Sequence, residues 1–164
     1  MSRTKHIALA TVAALTLAIP ALGGTKNPVA RPYLGHSTIT WTVNMLTGSA
    51  TAYETSATAY ETGEATHLGL YINEASAIYS IDPASFGIVS AAGTVTAADG
   101  DQCFWIMTSD QPGVVQVTGG TGRFEGVTGW LAAVSMEEPI IAIDPATMTM
   151  TITITYTAAG TLVY

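Results

Sequence analysis

Charge is what this chain most conspicuously lacks. Of 164 residues only 10% are charged, and five Lys and Arg stand against twelve Asp and Glu. An acidic chain with so few cations has no basic face to lay on a phosphate backbone, so nucleic-acid binding is excluded as a function class. One cysteine, Cys103, excludes an internal disulfide framework and a cysteine-based zinc site. Helix-period apolar patterning is missing after residue 23. No Ser-His-Asp set, GxSxG elbow or spaced carboxylate pair is readable, so no residue is assigned a catalytic role. A Walker loop is excluded too, because no helix and no Lys-Ser/Thr follow the glycines near residue 120. With 48% hydrophobic residues, the chain is nevertheless not disordered.

What is present begins with an address. Ser2-Arg3-Thr4-Lys5-His6 is basic, Ile7 to Ile19 is uncharged and mostly apolar, and Ala21-Leu22-Gly23 supplies small residues for cleavage. These are the three parts of a secretory signal peptide over residues 1–23. The apolar run is shorter than the roughly 20 residues a membrane-spanning helix needs. Cleavage near Gly23 would leave an exported chain of 141 residues. Its only cations are Lys26, Arg31 and Arg123 against all twelve carboxylates, a net charge of −9. Anionic ligands and anionic membranes are poor partners for such a chain. The expected destination is the periplasm or the medium, with no membrane span in the mature chain.

The rest reads as strands. Met148, Met150, Ile152, Ile154 and Tyr156 alternate with threonines from Thr147 to Thr157, and Ile39, Trp41, Val43 and Met45 alternate with Thr38, Thr40, Thr42 and Asn44. Period two with one apolar side marks strands with one buried face. Further strands are expected at 64–73, 76–82, 86–97, 102–109, 113–118 and 127–136. They are punctuated by Asp-Pro, Asp-Gly, Pro-Gly and Gly-Gly pairs. Ala98-Asp99-Gly100-Asp101 is a hairpin signal. Residues 24–36 read as a flexible entry segment and 37–164 as one domain. The fold class expected is all-β, a closed antiparallel barrel of about eight strands.

A seven-residue repeat, Thr51–Ala57 followed by Thr58–Glu64, carries Tyr-Glu in each copy. Seven is odd, so in one unbroken strand the two copies face opposite sides unless a bulge intervenes. The repeat reads as a lengthened hairpin at the barrel rim, or as an aromatic and carboxylate flap over a ligand mouth.

Thr118-Gly-Gly-Thr-Gly-Arg-Phe-Glu-Gly-Val-Thr-Gly129 resembles the corresponding stretch of plant allene oxide cyclases and, more loosely, of dirigent proteins. Ala-Thr-His-Leu-Gly (65–69), Ala-Ala-Asp-Gly-Asp-Gln (97–102) and Gly-Gly-Thr-Gly-Arg-Phe-Glu-Gly (119–126) follow the order of small exported bacterial proteins in the same allene-oxide-cyclase-like superfamily. The resemblance covers residues 37–164. It implies an eight-stranded antiparallel barrel with an apolar internal pocket. The cyclases steer the ring closure of a reactive fatty-acid epoxide there, and dirigent proteins orient phenoxy radicals. The cyclase's essential pocket residues, a Glu and a Cys among them, lie outside the matched motif and are not carried over.

From the residues themselves, Phe124 is placed to plug one end of a barrel. Trp41, Tyr71, Cys103, Trp105 and Trp130 are the ligand-pocket candidates. If Leu68, Leu70 and Ile72 face the core, His67 and Tyr71 face the other way. That alternation makes His67 a rim residue, with a pocket acid or base as its alternative. Phe104 and Ile106 alternate with Cys103, Trp105 and Met107, so both faces of 102–109 are expected to be buried. No metal site is expected from His36 and His67, and no cofactor. The function expected is binding of a small apolar molecule inside the barrel. The alternatives are a cyclase or isomerase acting by conformational templating, and a structural envelope protein without ligand.

Overall fold

The computed structural model of the protein describes residues 28–45, 54–82, 84–111 and 113–164. The signal-peptide reading of residues 1–23 lies outside them, as do residues 51–53 of the first repeat copy. Nine strands follow one another: β1 (Ala30–Asn44), β2 (Glu54–Ala65), β3 (Gly69–Ser80), β4 (Gly87–Ala97), β5 (Gln102–Thr108), β6 (Val114–Gly120), β7 (Thr128–Met136), β8 (Ile140–Asp144) and β9 (Thr149–Val163). Each pairs antiparallel with its neighbour from β1 to β7, β7 pairs with β9, and β9 pairs with β1, closing an eight-stranded barrel. Among the described residues the helical content is one 3-10 turn, Gly122–Phe124, and no helix is long and apolar enough to cross a membrane.

Closure is made by the two longest strands. β1 and β9 pair without a break from Ala30↔Val163 to Asn44↔Thr149. Inward go Tyr33, Ser37, Ile39, Trp41 and Val43 from β1, and Met150 and Ile152 from β9. Outward go threonines in facing pairs, with Thr38 Oγ1 to Thr155 Oγ1 and Thr40 Oγ1 to Thr153 Oγ1 both 3.1 Å. Branched Cβ atoms suit the pleat and hydroxyls suit water, so one residue type serves both needs. The strand starts at Ala30, so residues 30–36 are barrel wall and not entry segment. Tyr33 and Gly35 keep the inward parity, and the long β9 offers a partner for every one of these residues.

β7 and β8 form one broken strand along the other edge of β9. The pairing shifts near Ala133 and again across Glu137-Glu138-Pro139, with the Glu137 amide still donating to Thr155 O at 2.9 Å. β6 pairs with β7 only from Val114↔Ala132 to Val117↔Gly129. From Ala133 onward the other edge of β7 and β8 has no strand partner among the described residues.

One end of the barrel is sealed by the glycine motif. Phe124 is 1% exposed and packs with Val127, Leu162, Leu68 and Cys103. The loop is tied to the β4–β5 hairpin, because Asp101 Oδ2 accepts the Arg123 amide at 3.0 Å and the Arg123 guanidinium pairs with Asp99. Gly122 has φ +57, and a Cβ there would lie 1.8 Å from the Asp101 carboxylate. Conformation and space both demand glycine at that point.

Three local expectations are corrected. Thr66, His67 and Leu68 form the β2–β3 turn and are not strand, with φ of 70 at His67 and 67 at the adjoining Gly69. In β3 the inner face is Tyr71, Asn73, Ala75, Ala77 and Tyr79, so Leu70 and Ile72 point out and the alternation runs opposite to the apolar reading. β5 is buried on one face only, since in a single-walled barrel the outer side of Phe104 and Ile106 meets solvent. His67 sits on the rim, its Nε2 3.1 Å from Pro32 O.

Truncating the plug tests this account. Phe124→Ala is expected to cost about 3–5 kcal/mol in urea unfolding, as a fully buried aromatic does. Phe104→Ala on the outer wall is expected to cost under about 1 kcal/mol.

Candidate functional site

The interior is not hydrocarbon throughout. β2 sends Ala57, Ala59 and Glu61 inward, and Glu61 is only 3% exposed. Its carboxyl group is held from three sides. The Tyr71 and Tyr156 hydroxyls donate to Oε1 at 2.8 and 2.9 Å, and Asn73 Nδ2 donates to Oε2 at 2.7 Å. Asn73 Oδ1 in turn accepts the Trp105 indole N–H at 2.9 Å. Ser37 hydrogen-bonds to both phenols, and Tyr33 to Tyr71. Five strands thus contribute to one network. Among the described residues no buried side-chain nitrogen or oxygen is left without a partner. A buried polar group persists only when satisfied in this way.

The register explains how a carboxyl came to lie there. β2 runs unbroken from Glu54↔Ser80 to Ala65↔Gly69. No bulge corrects the odd repeat, so Glu54 faces solvent and its counterpart Glu61 faces the barrel interior. The duplication therefore delivered a glutamate to each side of one wall, with Glu54 outside and Glu61 inside.

A cavity of about 190 Å³ begins at this cluster. Glu61, Tyr33, Tyr71 and Asn73 line its inner end, and Trp41 and Trp105 its walls. Met107, Val115, Ala133 and Met136 carry it toward the place where β7 parts from β6. Ala133 and Met136 are exposed, so the cavity meets solvent there. Among the described residues no lysine, arginine or histidine lines it.

Three of the five pocket candidates, Trp41, Tyr71 and Trp105, line this cavity. Cys103 and Trp130 do not. Cys103 is buried in the cluster around Phe124, where burial pushes its thiol up to about 11 against a slight opposing pull from Arg123. It is an unreactive thiol at neutral pH. Trp130 pairs with the outward Gln116, between inward Gly129 and Leu131, and is 41% exposed on the outer wall. Glu61, Asn73, Tyr33 and Tyr156 were not singled out from the sequence. The available signal was a polar residue interrupting an alanine stripe, Ala57-x-Ala59-x-Glu61 on β2 and Asn73-x-Ala75-x-Ala77 on β3.

Among the described residues no group of three His, Cys, Asp or Glu is gathered to hold a metal ion. The cluster offers one carboxyl, three phenols, a serine hydroxyl, an amide and an indole. That set can accept or donate hydrogen bonds to a ligand and can exchange a proton, but it pairs no nucleophile with a base. The chain matches no protein-family model, no curated protein and no solved structure.

Burial is the main force on the phenols. Tyr33 is pushed up to about 12 by desolvation, with the Glu61 charge adding to it. Tyr71 and Tyr156 are driven higher still, again chiefly by burial, with Tyr33 and Glu61 contributing. The folded barrel keeps these protons after the unfolded chain, at its ordinary 10.0, has lost them. Stability is therefore fully present below pH 10 and falls as pH rises from 10 toward 12. Tyrosinate absorbance at alkaline pH is expected to rise in one step for these three residues, together with loss of the β circular-dichroism signal. Separate ionisation of all three in an intact barrel would contradict the network.

Proposed function

We propose that this protein is an exported barrel that binds a small, neutral, mainly apolar molecule carrying one hydrogen-bonding group. The single observation behind this reading is the Glu61 cluster at the inner end of an otherwise apolar cavity. The aromatic and aliphatic walls supply the burial energy, about 25 cal/mol per Å² of apolar surface. The polar cluster orients the ligand, the division of labour usual in small-molecule sites. The volume bounds the ligand: about 190 Å³ is little more than the ~150 Å³ of a cavity that takes benzene. A one- or two-ring molecule suits it better than a long acyl chain. The charge bounds it further. With a carboxyl group and no cationic side chain in the lining, an anion would pay desolvation without an ionic partner. Membership of the allene-oxide-cyclase-like superfamily is part of this proposal and rests on the glycine-rich stretch 118–129, as export rests on the residues 1–23 pattern.

A second reading has its own observation. An ionisable group buried in an apolar cavity is how a templating cyclase or isomerase would combine shape with proton transfer. Glu61 would then be the residue that moves the proton.

Fluorescence titration with naphthol and with naphthoate, similar in shape but neutral and anionic, tests the binding reading. Naphthol is expected to bind saturably and naphthoate at least about tenfold more weakly, about 1.4 kcal/mol. Ala133→Trp, at the exposed end of the lining, is expected to abolish naphthol binding while the melting temperature holds. Absence of saturable naphthol binding, or equal binding by Ala133→Trp, would sink the proposal.

A further inference from the structure

The outer wall carries a second concavity, on the other side of the wall from the interior cavity. It is a groove of about 860 Å³ across β1 to β6. Its cause lies on the inside of the wall. Beneath it the inward residues are Ala59, Ala75 and Gly93, and a Cβ on Gly93 would sit 2.6 Å from the Trp105 ring. Small residues let the backbone of β2 to β4 settle onto the indole, so the outer surface sinks there.

The register gives the groove an ordered floor. Thr40, Tyr60, Glu74, Thr94 and Phe104 are successive cross-strand partners, one row running perpendicular to the strands. Beside it runs a second row of Thr42, Thr58, Ser76, Ala92 and Ile106. The first row places an aromatic ring at either side, Tyr60 at 53% exposure and Phe104 at 38%. Between them lie a carboxylate and hydroxyls. Three strand spacings separate β2 from β5, roughly 14 Å. The Glu74 carboxylate has no hydrogen-bond or ion-pair partner among the described residues.

The chemistry of this floor selects among occupants. Among the described residues no cationic side chain lines it, which disfavours phosphates and acidic polymers. Its apolar side chains are divided by hydroxyls, unlike the contiguous patch at the centre of a protein interface. A molecule with apolar C–H faces and a rim of hydroxyls matches it. Such a ligand can stack on Tyr60 and Phe104 and donate to Glu74 from between them. We propose that this groove is a binding site for a neutral oligosaccharide laid across β2 to β5. The site is separate from the interior cavity and does not depend on it.

Titration calorimetry with cellotriose, chitotriose and maltotriose, alongside amide chemical-shift mapping, tests this. At least one of the three is expected to bind saturably, moving amides at 58–62, 74–76, 92–94 and 104–106. Tyr60→Ala and Phe104→Ala are each expected to weaken that binding about tenfold. Glu74→Gln is expected to weaken it several-fold, and naphthol binding in the interior is expected to stay unchanged. Failure of all three sugars at millimolar concentration would overturn the proposal. So would shifts mapping elsewhere, or a Tyr60→Ala/Phe104→Ala double variant that remains folded and binds as before. Tighter binding of heparin than of any neutral sugar would also overturn it.

Discussion

Everything in this molecule depends on β1 finding β9. The two strands lie at opposite ends of the described chain and pair along their whole length. Until they meet, the other strands form an open sheet with two long edges, which is aggregation-prone. Their register also decides which residues of every intervening strand face inward, because each antiparallel pairing passes parity to the next strand. A one-residue slip between β1 and β9 would put Trp41 and Ile152 on opposite faces and bring one strand's threonines inside. The pairing joins segments over a hundred residues apart, so its loop-closure entropy must be overcome before its contacts reward it. Folding is expected to be slow for a chain of this size.

The barrel so closed has three zones along its axis. Phe124 and its neighbours seal one end with a dry cluster. The middle holds the Glu61 network, and the far end opens where β7 leaves β6 after Ala132. The open end leaves β8 with all five residues exposed, Ile140, Ile141 and Ile143 among them. Such an edge invites strand pairing. The devices flanking it are those that usually deter it: Pro139, which lacks an amide hydrogen, and the charges of Glu137, Glu138 and Asp144. Thr147 and the Ala146 amide hold the Asp144 carboxyl below the usual carboxylate range.

Much of this wall was legible from residue order. The threonine alternation of β1 and β9 marked strands with one wet face, and Ala98–Asp101 marked a hairpin whose Gly100 has φ +91. Phe124 reads as a plug because the glycines around it permit a tight reversal. The interior was less legible. Alternation tells that two faces differ, not which faces in, and where apolar and polar content are close the wrong face can be chosen. On β3, Leu70 and Ile72 outweigh Tyr71 and Asn73 in hydropathy, yet the tyrosine and asparagine face inward because Glu61 on β2 and Trp105 on β5 wait there as partners.

The residues by themselves determined the class of structure: an acidic, strand-forming chain with branched residues at period two and glycines at its reversals. Those are local properties, set by backbone sterics and side-chain shape within a few residues. Only the tertiary structure decided that Glu61 is inside and Glu54 outside, that Trp130 faces water while Trp105 lines a cavity, and that Cys103 belongs to the plug. These facts rest on pairings between residues far apart in the chain. Parity is inherited across eight strands, and no single strand carries the information that sets it.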